Sequence, residues 1–82
     1  MYLNEVRNIV TDVLSLGAAG EALTADSPLL GSLPELDSMA VVSLIGALEE
    51  NFGITVDDDE ISASTFATLG SLAAFVQEKR GA

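Results

Sequence analysis

The sequence predicts an all-α fold: a small bundle of three main helices plus one short helix, with a long first loop. Three observations carry that prediction. Apolar residues recur at intervals of three and four in three separate stretches. A glycine follows each stretch, where helices commonly stop. No strand-like alternation competes over a comparable length.

The first stretch holds Leu3, Val6, Ile9, Val10, Val13 and Leu14, and predicts a helix over about residues 2–16, with Gly17 to stop it. A connection of about 20 residues follows, from Gly17 to Asp37, punctuated by Gly20, Pro28, Gly31 and Pro34. Its leucines 23, 29, 30, 33 and 36 imply that it packs on the core rather than floating free. The second main helix begins after Asp37, whose carboxylate suits an N-cap. Val41, Leu44, Ile45, Leu48 and Phe52 give it one apolar stripe, and Gly53 ends it. Ile54 to Val56 reads as a short extended link. The acids Asp57 to Glu60 suit the start of a short helix. In the last helix, capped at about Thr68, Leu69, Leu72, Ala73 and Val76 recur, with Lys79 and Arg80 in the final turn and Gly81 after it. Residues 1–82 read as a single domain, since the length allows no more.

Composition narrows the chemistry. Among 82 residues there are 13 acids and 3 bases, a formal net charge of −10, and no Cys, His or Trp. Lacking His, the chain cannot build a Ser-His-Asp relay. Lacking Cys, it has no thiolate nucleophile, disulfide or Cys/His zinc site. Three cations are too few to hold phosphate backbones, so nucleic acid is not an expected ligand. Four contiguous acids at 57–60 lack the alternating spacing and turn glycine of a calcium loop, so no metal site is expected. No apolar run is long enough to span a bilayer and no secretory signal is evident, which predicts a cytoplasmic protein, read as a monomer. The 49% apolar content argues against a disordered acidic tail.

Candidate functional residues gather on the second main helix. Beside its core stripe, Ser38, Met39, Val42, Gly46, Glu49 and Glu50 occupy a second face that mixes apolar groups, a glycine and two acids. Such a face suits either a broadened core or a docking surface for another protein. Eight of the 13 acids (Glu35, Asp37, Glu49, Glu50, Asp57, Asp58, Asp59 and Glu60) fall within residues 35–60, a window with no Lys or Arg. That field keeps the protein soluble and would also steer a basic partner. Ser38 follows the capping Asp37 at a helix start, where unpaired N–H groups and the helix dipole favour a phosphate. From position alone, an ordinary helix-start serine is the favoured reading.

The run Glu35-Leu36-Asp37-Ser38-Met39, followed by Val42, Leu44, Ile45, Ala47-Leu48-Glu49-Glu50 and Phe52-Gly53-Ile54, resembles an acyl carrier protein. Phe66-Ala67-Thr68-Leu69 also resembles the start of that family's last helix, so the likeness covers almost the whole chain. The resemblance implies an acyl-carrier-like fold and a carrier that is not itself an enzyme. It implies that Ser38 receives 4′-phosphopantetheine from coenzyme A through a phosphopantetheinyl transferase, with Asp37 as the helix cap beside it. The group's thiol would carry acyl groups as thioesters between acyl-loading, acyl-transfer or synthase enzymes with basic docking patches, in fatty-acid-type or specialised lipid or secondary metabolism. On this reading the docking residues are Met39, Val42, Gly46, Glu49, Glu50 and Val56. An acyl cleft would be lined by Val41, Ile45, Leu48, Ile61, Phe66 and Leu72, all of which suit plain core roles too.

The motif here is Asp-Ser-Met where the family has Asp-Ser-Leu. Ala40 and Ser43 stand where many fatty-acid carriers have acids, and Gly46 replaces a larger apolar group. These departures imply a specialised carrier. The stretches Pro28 to Gly31 and Leu33 to Met39 resemble carriers found with bacterial exopolysaccharide and exosortase systems. Two alternatives stay open: an aminoacyl or polyketide carrier, and a non-carrier acidic helical adaptor in which Ser38 is only structural.

Overall fold

The computed structural model describes residues 2–29 and 36–81, apart from the side chain of Asp58. Helix α1 runs Leu3–Leu14, a short α2 spans Ala18–Glu21, α3 runs Ser38–Phe52 and α4 runs Leu69–Arg80. A single 3₁₀ turn, Asp58–Glu60, lies between α3 and α4. Three long helices around one apolar core match the predicted architecture.

In α1, Val6, Val10 and Leu14 are buried, one turn apart along the face that meets α3 and α4. The helix stops two residues earlier than its apolar pattern suggests. Ser15 takes the left-handed conformation (φ 54°), and the N–H of Leu16 donates to the Thr11 carbonyl at 3.0 Å. Gly17 (φ 59°) instead precedes α2, the helical turn that the sequence left inside the connection. Gly20 of α2 is buried against α1, where an added Cβ would strike the Thr11 side chain. A four-residue helix held by tertiary contact has too short a period to show in a sequence pattern.

The rest of the connection packs, as its leucines imply. Leu23, Leu29 and Leu36 are buried in the core; Leu30 and Leu33 lie outside the described residues. Three backbone hydrogen bonds stitch the connection to the start of α4: Leu29 N–H to Ala67 O (3.0 Å), Leu69 N–H to Ser27 O (3.0 Å) and Gly70 N–H to Ala25 O (2.8 Å). Pro28 and Thr68 pair there as an isolated antiparallel bridge.

Helix α4 opens on a capping box. Thr68 Oγ1 accepts from Ser71 N–H and Ser71 Oγ accepts from Thr68 N–H, each at 3.0 Å. Leu69, Leu72, Ala73 and Val76 are then completely buried. At its far end Arg80 donates to the Phe52 carbonyl (2.7 Å) and lies over the Tyr2 ring, which packs on Phe52. That cluster closes one end of the bundle where the ends of all three long helices meet.

Candidate functional site

Helix α3 places the candidate residues. Asp37 has an extended backbone, and its Oδ1 accepts from the Ala40 N–H at 2.8 Å. This cap fixes where the helix begins and makes Ser38 its first residue, with the side chain exposed. The helix start favours negative charge by about 0.3–1 kcal/mol at an exposed site. A phosphate ester on Ser38 would sit in that favourable field, with the Asp37 carboxylate as its anionic neighbour.

From Ser38 one strip of α3 leads away from the core. At about 100° per residue, Val42, Ile45, Gly46 and Glu49 lie between roughly −20° and +80° of Ser38, while the buried Leu44, Leu48 and Phe52 lie on the other side, at roughly −40° to −120°. The four strip residues, with Val56 and Ile61, line an open cleft of about 300 Å³. That volume is at the small end of ligand pockets, which run about 300–1,000 Å³. Its walls are apolar except for Glu49, whose Oε2 accepts from the Val56 N–H at 2.8 Å.

The far wall is pinned from behind. Glu60, just before Ile61, receives Lys79 Nζ from α4 at 2.8 Å on Oε1 and 2.7 Å on Oε2. Glu60 Oε1 also accepts from the Asp57 N–H at 3.0 Å. The Lys79 hydrogen bond, followed by that from the Asp57 backbone, lowers the Glu60 carboxyl below its ordinary value of 4.5.

The structure redistributes the residues singled out in the sequence. Met39 (75% exposed) and Val42 (68%) stand out on the surface, and Glu50 is exposed too. Val42, Gly46, Glu49 and Val56, read from the sequence as docking residues, line the cleft together with Ile45 and Ile61. The other four cleft candidates are elsewhere. Leu48, Phe66 and Leu72 are buried in the core, and Val41 is half-buried against it. A helical period gives the width of an apolar stripe. It does not say which edge of the stripe a later segment such as 54–61 covers.

Sequence reasoning treated Lys79 and Arg80 only as last-turn cations. Lys79 anchors the 3₁₀ turn, Arg80 anchors the end of α3, and Arg7 is held by Asn4 Oδ1 (2.7 Å) and the Leu23 carbonyl (3.3 Å). All three cations are thus engaged in internal ties; apart from Asn4, one turn from Arg7 on α1, no local pattern signals these partners. Asp37, Glu50, Asp57 and Asp59 are exposed on the acidic side; Glu35 lies outside the described residues. So do residues 30–35 of the stretch resembling exopolysaccharide and exosortase carriers. Among the described residues, no group of three or more acids is placed to hold a metal ion, and no helix is long and apolar enough to cross a membrane.

Comparison with known proteins gives a consistent picture. Residues 4–76 match the family described as the phosphopantetheine attachment site. The acyl carrier protein of Akkermansia muciniphila is 34% identical over 77 residues, covering 94% of this chain and 90% of that one. The acyl carrier protein of Picosynechococcus is 32% identical over 79 residues, covering 96% and 91%. The solution NMR structure of a holo acyl carrier protein from Nitrosomonas europaea superposes with a TM-score of 0.92, at 62% identity, covering 100% of this chain and 99% of that one.

Proposed function

Because the chain belongs to the acyl carrier protein family, whose cofactor is covalent 4′-phosphopantetheine, we propose that Ser38 is its attachment residue and that the chain is a carrier that catalyses nothing itself. One observation carries this reading: an exposed serine, fixed by the Asp37 cap as the first residue of α3, heads the strip that lines the cleft. The residues fit the group. Ser38 offers an accessible hydroxyl for a phosphodiester, the helix start is polarised for the phosphate, and the apolar cleft lies on the same helix face. When bound, the group supplies a thiol that holds an acyl cargo as a thioester.

The protein's own residues then do three things. Asp37 and Ser38 hold the arm at a defined point, which raises the effective concentration of tethered cargo. Val42, Ile45, Val56 and Ile61 offer the cargo an apolar shelter from water. Exposed Met39 and Val42, flanked by Asp37 and Glu50, present an apolar patch in an acidic field to partner enzymes with basic docking surfaces. Residues 1–82 act as one monomeric domain in the cytoplasm, serving a phosphopantetheinyl transferase and then enzymes of fatty-acid-type or specialised lipid metabolism.

The test is intact mass after incubation with coenzyme A, magnesium and a promiscuous phosphopantetheinyl transferase. One phosphopantetheine is expected on wild type and none on Ser38→Ala. A modified Ser38→Ala, or folded wild type that several transferases leave unmodified, would sink the assignment of Ser38.

A further inference from the structure

Gly46 has no backbone reason to be glycine. It lies inside α3 in ordinary right-handed helix, unlike Gly17, Gly53 and Gly81, which take positive φ. Glycine inside a helix is less favourable than alanine, because it has more backbone freedom to lose. It has no packing reason either. A Cβ built at Gly46 meets nothing within 4 Å, whereas one at Gly20 would strike Thr11 and one at Gly70 would strike Ala25. The neighbouring chain presses on those two glycines, and nothing in the protein presses on Gly46. What Gly46 borders is the cleft.

The rest of that lining is stiff. Val42, Ile45, Val56 and Ile61 are all β-branched, with restricted rotation about χ1, and Glu49 is held by the Val56 N–H. The mouth therefore cannot widen easily by moving side chains. Room at its edge is left instead by the missing side chain at Gly46, about 12 Å along the helix axis from Ser38.

We propose that this gap is room for cargo: Gly46 admits an acyl group broader than an unbranched chain, one carrying a branch or ring. The inference rests on the carrier reading above and adds to it the shape of the cargo. The burial of a wide apolar group at Gly46 replaces the contacts that a larger side chain would have made there, and a side chain restored at 46 competes with that group for the same space.

The experiment loads wild type, Gly46→Ala and Gly46→Leu at Ser38 with either octanoyl or a phenyl-terminated acyl group, checked by intact mass. Hydroxylamine cleavage of the thioester then reports how well each cargo is shielded, and thermal melts of the unloaded proteins report folding. Gly46→Ala should melt higher than wild type. In both variants the phenyl-terminated thioester should be cleaved faster, by about fourfold for each methylene-equivalent forced into water, with octanoyl changing much less. Equal cleavage of both cargoes across the three proteins would overturn the proposal. So would equal acceleration of both, which would mean a general loss of the cleft, or unchanged shielding with slower transfer by partner enzymes, which would make Gly46 a docking residue. Wild type that does not load at Ser38 would overturn the carrier reading itself, and this inference with it. Gly46→Ala keeps the proposal testable should Gly46→Leu misfold.

Discussion

Glu49, in the fourth turn of α3, accepts a hydrogen bond from the backbone N–H of Val56, seven residues later, and both residues line the cleft. One carboxylate thereby ties the Ser38 helix to the extended link that forms the opposite wall. Glu49→Ala leaves that N–H without its partner and should cost about 1 kcal/mol, since the site is only half-buried. Glu49→Gln keeps an acceptor oxygen and should recover most of the loss. Amide exchange at Val56 checks this: fast in Glu49→Ala, close to wild type in Glu49→Gln.

The Lys79–Glu60 pair predicts a pH window. The Glu60 carboxyl is lowered in the folded state by the Lys79 hydrogen bond, so the unfolded chain binds its proton more readily. The pair's stabilisation is complete above the unfolded value of 4.5 and fades as pH falls below it through the folded value. The gap in melting temperature between wild type and Glu60→Gln should be present at pH 7 and close on acidification below that value. A gap that persists well into acid would contradict the assignment. The partners are 24% and 31% exposed, so added salt should also narrow it.

Thr68 closes one half of the capping box on α4. Thr68→Ala should destabilise the protein by about 1 kcal/mol. In a domain of this size that lowers the melting temperature by about 4–8 °C. Thr68→Ser keeps the hydroxyl and should lie near wild type in the same melt.

Leu72 and Ile45 separate core from cleft. Leu72 is completely buried, so Leu72→Ala should cost about 2–5 kcal/mol. Ile45 is half-buried and lines the cleft, so Ile45→Ala should cost less stability and expose a Ser38-linked octanoyl thioester to hydroxylamine. Denaturant melts and thioester cleavage rates, measured on both variants, should rank them in opposite orders.

The uneven charge gives a simpler expectation. At a net charge of −10, with the three cations occupied by internal ties, acids repel one another across the surface. Sodium chloride should raise the melting temperature of wild type. A flat response would show that the acids are too far apart to matter.

Much of this was legible in the sequence because it is local. Val6, Val10 and Leu14 announce α1 by spacing, Asp37 and Gly53 bracket α3 by their cap chemistry, and Thr68 marks α4. The place of Ser38 at the start of α3 was legible for the same reason, while its proposed role came from the family resemblance and not from its position. The cleft was only half legible. Whether Ile45 or Leu48 faces it depends on where residues 54–61 return, and that return is held by the Glu49 bond to Val56, beyond the helix end, and by Lys79 reaching Glu60, 19 residues away. Ser15 shows the other gap: a non-glycine residue takes the left-handed position two residues before the expected glycine, and the short helix that follows packs Gly20 against Thr11.

The stitch between Ala25–Leu29 and Ala67–Gly70 has a bearing on how the chain assembles. Its partners lie about 40 residues apart, so closing it fixes a long loop whose entropy cost nothing local can offset. The helices can form early from contacts within each segment, whereas the stitch needs the connection and the start of α4 to come together. Its closure is expected late in folding, and the amides of Leu29, Leu69 and Gly70 should gain protection together and last in a refolding time course.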